Sequence, residues 1–276
     1  MFVGIDLTHL PHRNLGAAVS RALTLLGFNE FDHVVVGNHD AAYLNDLDIA
    51  IGRNQLASHL ELTGDGCLWT GLEAYLKERP IGEFTIHNRF RQFHFATPLS
   101  GMCAGSTFVK TDVFIGEIGW MKALVSGAPS DSKYKAVYRN MLLMSVFLEV
   151  CWPAGDGDGD EFFRYALNYR DGLSARRFRR VHASQQDGRP KRMMIQEARV
   201  TSDPNDIPLI LFDGEGDWRD IDSFEKLHHL LQGSRFRYGS FLPAIFQNFR
   251  ASLQKSNMRL PDIAELDYSV RQSDSA

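Results

Sequence analysis

Residues 46–51 read Asp-Leu-Asp-Ile-Ala-Ile, and no other run limits the fold of this chain so much. Side chains two apart along a β-strand share a face. A strand here therefore sends Asp46 and Asp48 to one side and Leu47 and Ile49 to the other. The apolar side has to be covered, which calls for a sheet packed against other elements. The acidic side carries two anions that repel each other unless protons or a cation stand between them. Hard divalent cations take carboxylate oxygens, so a bound Mg²⁺ or Mn²⁺ answers that repulsion.

Around this strand, helix and strand patterns alternate. Asn14 is placed to cap a helix over 15–26, with apolar residues at Ala18, Ala22, Leu25 and Leu26 and Gly27 as its C-cap. Phe31 to Val36 reads as a buried strand stopped by Gly37-Asn38. Residues 68–78 form a helix that ends before Pro80. Aromatic and β-branched residues dominate 83–96 and 107–115, which are strands, in part antiparallel. Ser130 or Asp131 opens a long helix reaching Val150, with Tyr134, Tyr138, Met141, Leu142, Ser145 and Leu148 at helical period. Composition changes sharply at 155–161, Gly-Asp-Gly-Asp-Gly-Asp-Glu, which sets the expected boundary. Residues 1–152 are then an α/β (α+β) domain, a mixed sheet flanked by helices. Residues 153–276 are a smaller, mixed, mainly helical part. It holds a strand-like run over 207–212, helices near 223–231 and 242–253, and a polar tail after Tyr268.

With 276 residues, 44% hydrophobic and 23% charged, the chain can bury a core of ordinary size. A net charge of −4 excludes a protein that is basic throughout, though not a local basic groove. Cys67, Cys103 and Cys151 are too dispersed for a Cys-x-x-Cys site or a disulfide framework, which favours a reducing cytoplasm. No signal peptide is read at the N-terminus, and the longest apolar stretch, 141–150, is too short to span a bilayer.

An apolar strand ending in Val34-Val35-Val36-Gly37, a loop, and then Asp46-Leu47-Asp48-Ile49 resembles the signature of the nucleotidyltransferase superfamily that includes DNA polymerase β. That family carries Gly or Ser after its glycine; this chain has Asn38, whose amide can still donate a hydrogen bond. The family also needs a third carboxylate on a later strand. Asp112 supplies one inside Thr107-Phe108-Val109-Lys110-Thr111-Asp112-Val113-Phe114-Ile115, where an aspartate without a partner would be costly. The resemblance implies that Asp46 and Asp48 bridge two Mg²⁺ or Mn²⁺ ions. Asp112 would bind one of them and help deprotonate an acceptor hydroxyl, and Gly37 and Asn38 would approach the phosphates. The implied reaction moves a nucleoside monophosphate from an NTP such as ATP onto a hydroxyl of RNA, protein or a small molecule, releasing pyrophosphate.

Ser132, Lys133, Lys135 and Arg139 stand at the expected start of the long helix, where cations oppose the helix dipole and a bound anion would repay them. Lys135 and Arg139, at i and i+4, could clamp a triphosphate. Ser-Lys-Tyr-Lys followed by Tyr-Arg-Asn is also similar to a motif of nucleotidyltransferase-like proteins of bacteriophages. That likeness extends loosely to Leu173 and to Thr201-Ser202-Asp203-Pro204 through Phe212, and implies a setting in the host cytoplasm. Arg176, Arg177, Arg179 and Arg180, with Arg189, Lys191 and Arg192, form a basic stretch suited to RNA phosphates or to a solvated loop.

Other motifs are weaker. Asp156, Asp158 and Asp160 miss EF-hand register, because Leu167 stands where the closing Glu belongs. His228 and His229 would point about 100° apart on a helix, and His87 and His94 lie on strands near the acidic run. The alternatives to an NTP-dependent transferase are a catalytically degenerate relative that binds nucleotide, RNA or a protein partner, and a metal-dependent phosphoester hydrolase.

Overall fold

The computed structural model describes residues 7–36, 42–62, 68–87, 91–99, 107–125, 128–129, 131–154, 160–181 and 191–261. The chain divides into two compact units, Met1–Gly127 and Ala128–Ala276. The long helix thus belongs to the second unit, whereas the composition break at 155–161 had suggested a boundary near 153.

The first unit is built on a five-stranded mixed sheet. Its strands are β2 (His33–Val36), β4 (Asp46–Gly52), β5 (Phe84–His87), β6 (Gln92–Pro98) and β7 (Phe108–Gly116), in the order β2-β4-β7-β6-β5. Only β4 and β7 run parallel; the other pairs are antiparallel. The short strands β1 (Leu10–Pro11) and β3 (Tyr43–Leu44) pair separately.

Alternation divides the sheet as the sequence implies. Leu47, Ile49 and Ile51 of β4, Phe93 and Phe95 of β6, and Val109, Val113 and Ile115 of β7 enter one core. Helix α1 (Leu15–Leu26) covers them with Ala18, Val19, Ala22, Leu23 and Leu26. Leu56 of α2 (Arg53–His59) and Leu68, Leu72 and Leu76 of α3 (Leu68–Lys77) complete the layer. Gly27 ends α1 in the left-handed region, φ 74°, and a Cβ there would stand 2.7 Å from the Tyr75 hydroxyl. That hydroxyl donates to Leu26 O at 2.9 Å and so ties α3 to the end of α1. Glycine is required at this position by conformation and by space.

On the opposite face, the described residues form an apolar cluster at one end. Met121 and Val125 of α4 (Ile118–Val125) pack on Val34 and Val36 of β2, Ala50 of β4 and Phe114 of β7. These residues lie toward the C-terminal ends of the parallel pair. The N-terminal halves of β4 and β7 stay clear of this cluster, and they carry the acidic residues.

The second unit contains the four-stranded antiparallel sheet β11-β10-β9-β8, from β8 (Cys151–Pro153), β9 (Glu161–Asn168), β10 (Gly172–Val181) and β11 (Lys191–Thr201). Its helices are α5 (Ala136–Glu149), α6 (Asp206–Leu211), α7 (Phe224–Gln232) and α8 (Leu242–Lys255). Two expectations change here. The run over 207–212 is helical, because a short apolar stretch has no periodicity of its own to decide between helix and strand. Arg176, Arg177, Arg179 and Arg180 lie on a long paired strand, not in a loop. The C-terminal half of the expected helix pattern holds: Ser223 caps α7, accepting from Lys226 N at 3.2 Å. Among the described residues no helix is long and apolar enough to cross a membrane.

A candidate metal centre on two parallel strands

Strand register brings the carboxylates together. The parallel pairing sets Asp48 beside Asp112 and Asp46 beside Lys110. In consequence Asp46, Asp48 and Asp112 each present an oxygen within 4.8 Å of the other two. Asp46 and Asp48 are half-buried, and Asp112 is only 7% exposed.

The site strains against its own charge. Burial first, and then the Asp46 and Asp112 carboxylates, push the Asp48 carboxyl from its ordinary 3.8 up to about 7, against the opposing pull of Lys110. Asp46 is displaced in the same direction, again by burial first and by Asp112 second. The Lys110 ammonium donates to Asp112 Oδ2 at 2.6 Å. The other oxygen, Asp112 Oδ1, is buried and has no hydrogen-bond partner among the described residues. An orphaned, sealed carboxylate oxygen is costly unless something binds it.

Histidines flank the cluster. His94 of β6 is in register with Asp112, and its Nδ1 stands 3.8 Å from that unsatisfied oxygen. The His87 and His94 rings lie 5.0 Å apart. Burial holds His94 below its ordinary value, against the attraction of Asp112, so the neutral ring is favoured. On the other face of β6 and β7, the Thr97 and Thr111 hydroxyls share a buried hydrogen bond of 2.6 Å that locks the two strands.

This set of donors fits a hard divalent cation. Three carboxylates converge, one oxygen is unsatisfied, and the backbone that carries them is fixed in central strands. The cluster can hold a metal ion. Lys110 is the neighbour that sequence reasoning passed over. Its signal was present: it lies two residues before Asp112 on the same strand and therefore shares its face.

The remaining candidates divide between residues outside the described ones and residues of the second unit. Gly37 and Asn38 lie outside the described residues. Ser132, Lys133, Lys135 and Arg139 belong to the second unit. Helix α5 starts at Ala136, so Lys133 and Lys135 precede it, and Lys135 is its exposed N-cap residue. Ser132 and Lys133 are engaged with Glu225, to which the Ser132 hydroxyl donates at 2.9 Å and the Lys133 amide at 2.7 Å. Arg139 is 1% exposed. It donates to Asp222 O at 2.7 Å and to Asn140 Oδ1 at 3.0 and 2.9 Å, and its guanidinium carbon lies 4.9 Å from the Trp218 ring centre. Lys135 and Arg139 therefore do not share one exposed helix face. The cation inside the helix is buried and satisfied, which answers the dipole cost without an anion.

The arginine run is likewise partly neutralised. On β10, Arg177 and Arg179 both pair with Glu161 of β9, and Arg176 lies 3.1 Å from Glu197 of β11. Arg180 stands over the Phe162 ring at 5.7 Å. Residues 155–159 of the Asp-Gly run and Arg189 of the basic stretch lie outside the described residues. His228 is buried between Phe224 and Phe246, as a core histidine.

No protein family and no curated protein matches this chain.

Proposed function

We propose that this chain is a metal-dependent nucleotidyltransferase. It would transfer a nucleoside monophosphate from an NTP to an acceptor hydroxyl and release pyrophosphate. The observation that carries the reading is the convergence of Asp46, Asp48 and Asp112 on adjacent parallel strands, with one buried oxygen left unsatisfied. The order of residues along the chain adds to it: apolar strand, Gly37, the acidic pair, then the lone Asp112. Mg²⁺ is the ion best suited to an all-carboxylate set, with Mn²⁺ next, and Asp46, Asp48 and Asp112 would hold it. When bound, the ion would neutralise charge on the phosphate oxygens.

The chain's own contribution is placement. Central strands fix the carboxylates before substrate arrives, so little reorganisation accompanies reaction. Asp112 is the carboxylate placed to accept the acceptor's proton as its oxygen bonds to phosphorus and the bond to pyrophosphate breaks. RNA, protein and small molecules all remain acceptor classes, because acceptors vary over one fold core. The cytoplasm, of a bacterial host if the gene is a phage's, is the compartment this reading favours.

Incubation with each labelled NTP, Mg²⁺, and total cellular RNA and protein should label one fraction. Asp48→Ala should lose that label while keeping its circular dichroism and a cooperative melting transition. Full labelling by Asp48→Ala would sink the proposal.

A second reading has its own support. Lys110 already neutralises the third carboxylate at 2.6 Å, as it would in a degenerate relative that binds nucleotide, RNA or a protein partner without turnover. Saturable Mg²⁺·ATP binding with no pyrophosphate release would select that reading.

A further inference from the structure

The second unit contains a cavity of about 290 Å³ between helix α5 and the sheet, with α8 contributing Ser252. Its apolar wall includes Met144, Leu148 and Phe178. Its polar wall is cationic, made of Arg164 from β9, Arg176 from β10 and Arg192 from β11. Strand register forces these like charges together: Arg164 is the direct cross-strand partner of Arg176. Like charges directly opposite on a sheet are destabilising. Arg192 completes the set and packs its guanidinium 5.5 Å from the Phe178 ring centre.

Among the described residues, compensation of these charges is incomplete. Glu197 stands 3.1 Å from Arg176 Nε, but that nitrogen has no hydrogen-bond partner among the described residues, and neither has Arg164 Nε; both are buried. Arg164 is pressed below its ordinary value by burial first and by the charge of Arg192 second, while Glu149 pulls the other way. Among the described residues Arg192 has no carboxylate partner. Three guanidinium forks around one space suit a group with three peripheral oxygens better than a carboxylate with two.

We propose that this cavity binds a phosphate monoester whose compact body presents a flat aromatic face, the chemistry of a nucleoside monophosphate, with the phosphate held among Arg164, Arg176 and Arg192 and the base against Met144, Leu148 and Phe178. The volume is of the size of one such unit. The ligand's source is either a free mononucleotide or the 5′-phosphorylated end of an RNA. The site lies wholly in the second unit and does not depend on the acidic cluster.

Calorimetric titration of the full chain in EDTA separates this site from any metal-dependent one. AMP should bind about tenfold or more tightly than adenosine or inorganic phosphate alone. Arg192→Ala and Arg164→Gln should each weaken AMP about tenfold. Leu148→Trp, a change at an exposed helix position on the cavity wall, should block binding by filling it. Melting curves establish that each variant is folded; Arg192 and Leu148 are exposed, so at least those two variants report on the site. If a 5′-phosphorylated RNA oligonucleotide binds more tightly than AMP, and its 5′-hydroxyl counterpart does not, the RNA end is the source; the reverse order assigns the free nucleotide. The proposal is overturned if AMP binds no better than adenosine, or if folded Arg192→Ala and Leu148→Trp both retain full AMP affinity.

Discussion

Asp48→Asn tests the electrostatic account of the acidic cluster most directly. In the folded chain the Asp48 carboxyl holds its proton up to about pH 7, whereas in the unfolded chain it releases it near 3.8. Between those values the native state binds more protons than the unfolded one, so stability falls as pH rises. This contribution is fully present below about pH 3.8 and is lost above about pH 7. The displacement corresponds to about 4 kcal/mol, of which water at the half-buried carboxylate screens part, leaving about 2 kcal/mol. Asp46, displaced in the same direction, adds to the loss. Asparagine keeps the shape and cannot ionise. In EDTA at pH 8 the variant should therefore melt higher than the parent by roughly 5–10 °C, and the difference should shrink toward pH 5. Millimolar Mg²⁺ should raise the parent's melting temperature at pH 8, because binding to the native state alone stabilises it. It should do little for the variant. Thermal melts from pH 4.5 to 8.5, with EDTA or Mg²⁺, measure all of this. A variant less stable than the parent at pH 8 in EDTA, or one stabilised by Mg²⁺ as much as the parent, would refute the reasoning.

Two further outcomes follow from side chains already placed. Lys110→Met removes the Lys110 hydrogen bond to the Asp112 carboxylate and should cost about 2 kcal/mol in EDTA at neutral pH, with added Mg²⁺ restoring most of it; urea melts with and without the ion read this. Arg139→Lys cannot reproduce the forked donation to Asp222 and Asn140, and should destabilise the second unit by about 3 kcal/mol while leaving Mg²⁺ binding by the first unchanged. Unaltered urea stability of Arg139→Lys would show that the guanidinium is dispensable there.

What the sequence disclosed depended on how local the signal was. The Asp46–Asp48 pair and Asp112 were legible because a two-residue period and an apolar context are both properties of a short run. Helices α1 and α3 were legible for the same reason at period 3.6. The meeting of Asp48 and His94 with Asp112 was not, because it depends on how β4, β6 and β7 pair, and nothing in the run around residue 112 records that register. Helix α5 begins at Ala136 instead of residue 131 because residues 132 and 133 are held by Glu225, more than ninety residues further along the chain. The arginine stretch read as a patch or loop because its partners, Glu161, Glu197 and the Phe162 ring, lie on other strands. Arg164, isolated from that stretch in sequence, joins it only across the β9–β10 ladder.

The parallel pairing of β4 with β7 also bears on how the chain folds. Parallel neighbours cannot be closed by a tight turn, and here 53–107 intervene, while β5, β6 and β7 follow one another as an antiparallel meander. Loop-closure entropy therefore favours forming the meander first and docking β4 onto it afterwards. That docking step is the one that drives Asp46 and Asp48 against Asp112. Mutual repulsion among the carboxylates is thus expected to act on the rate of folding, and a divalent cation or a fall in pH would hasten assembly of the sheet.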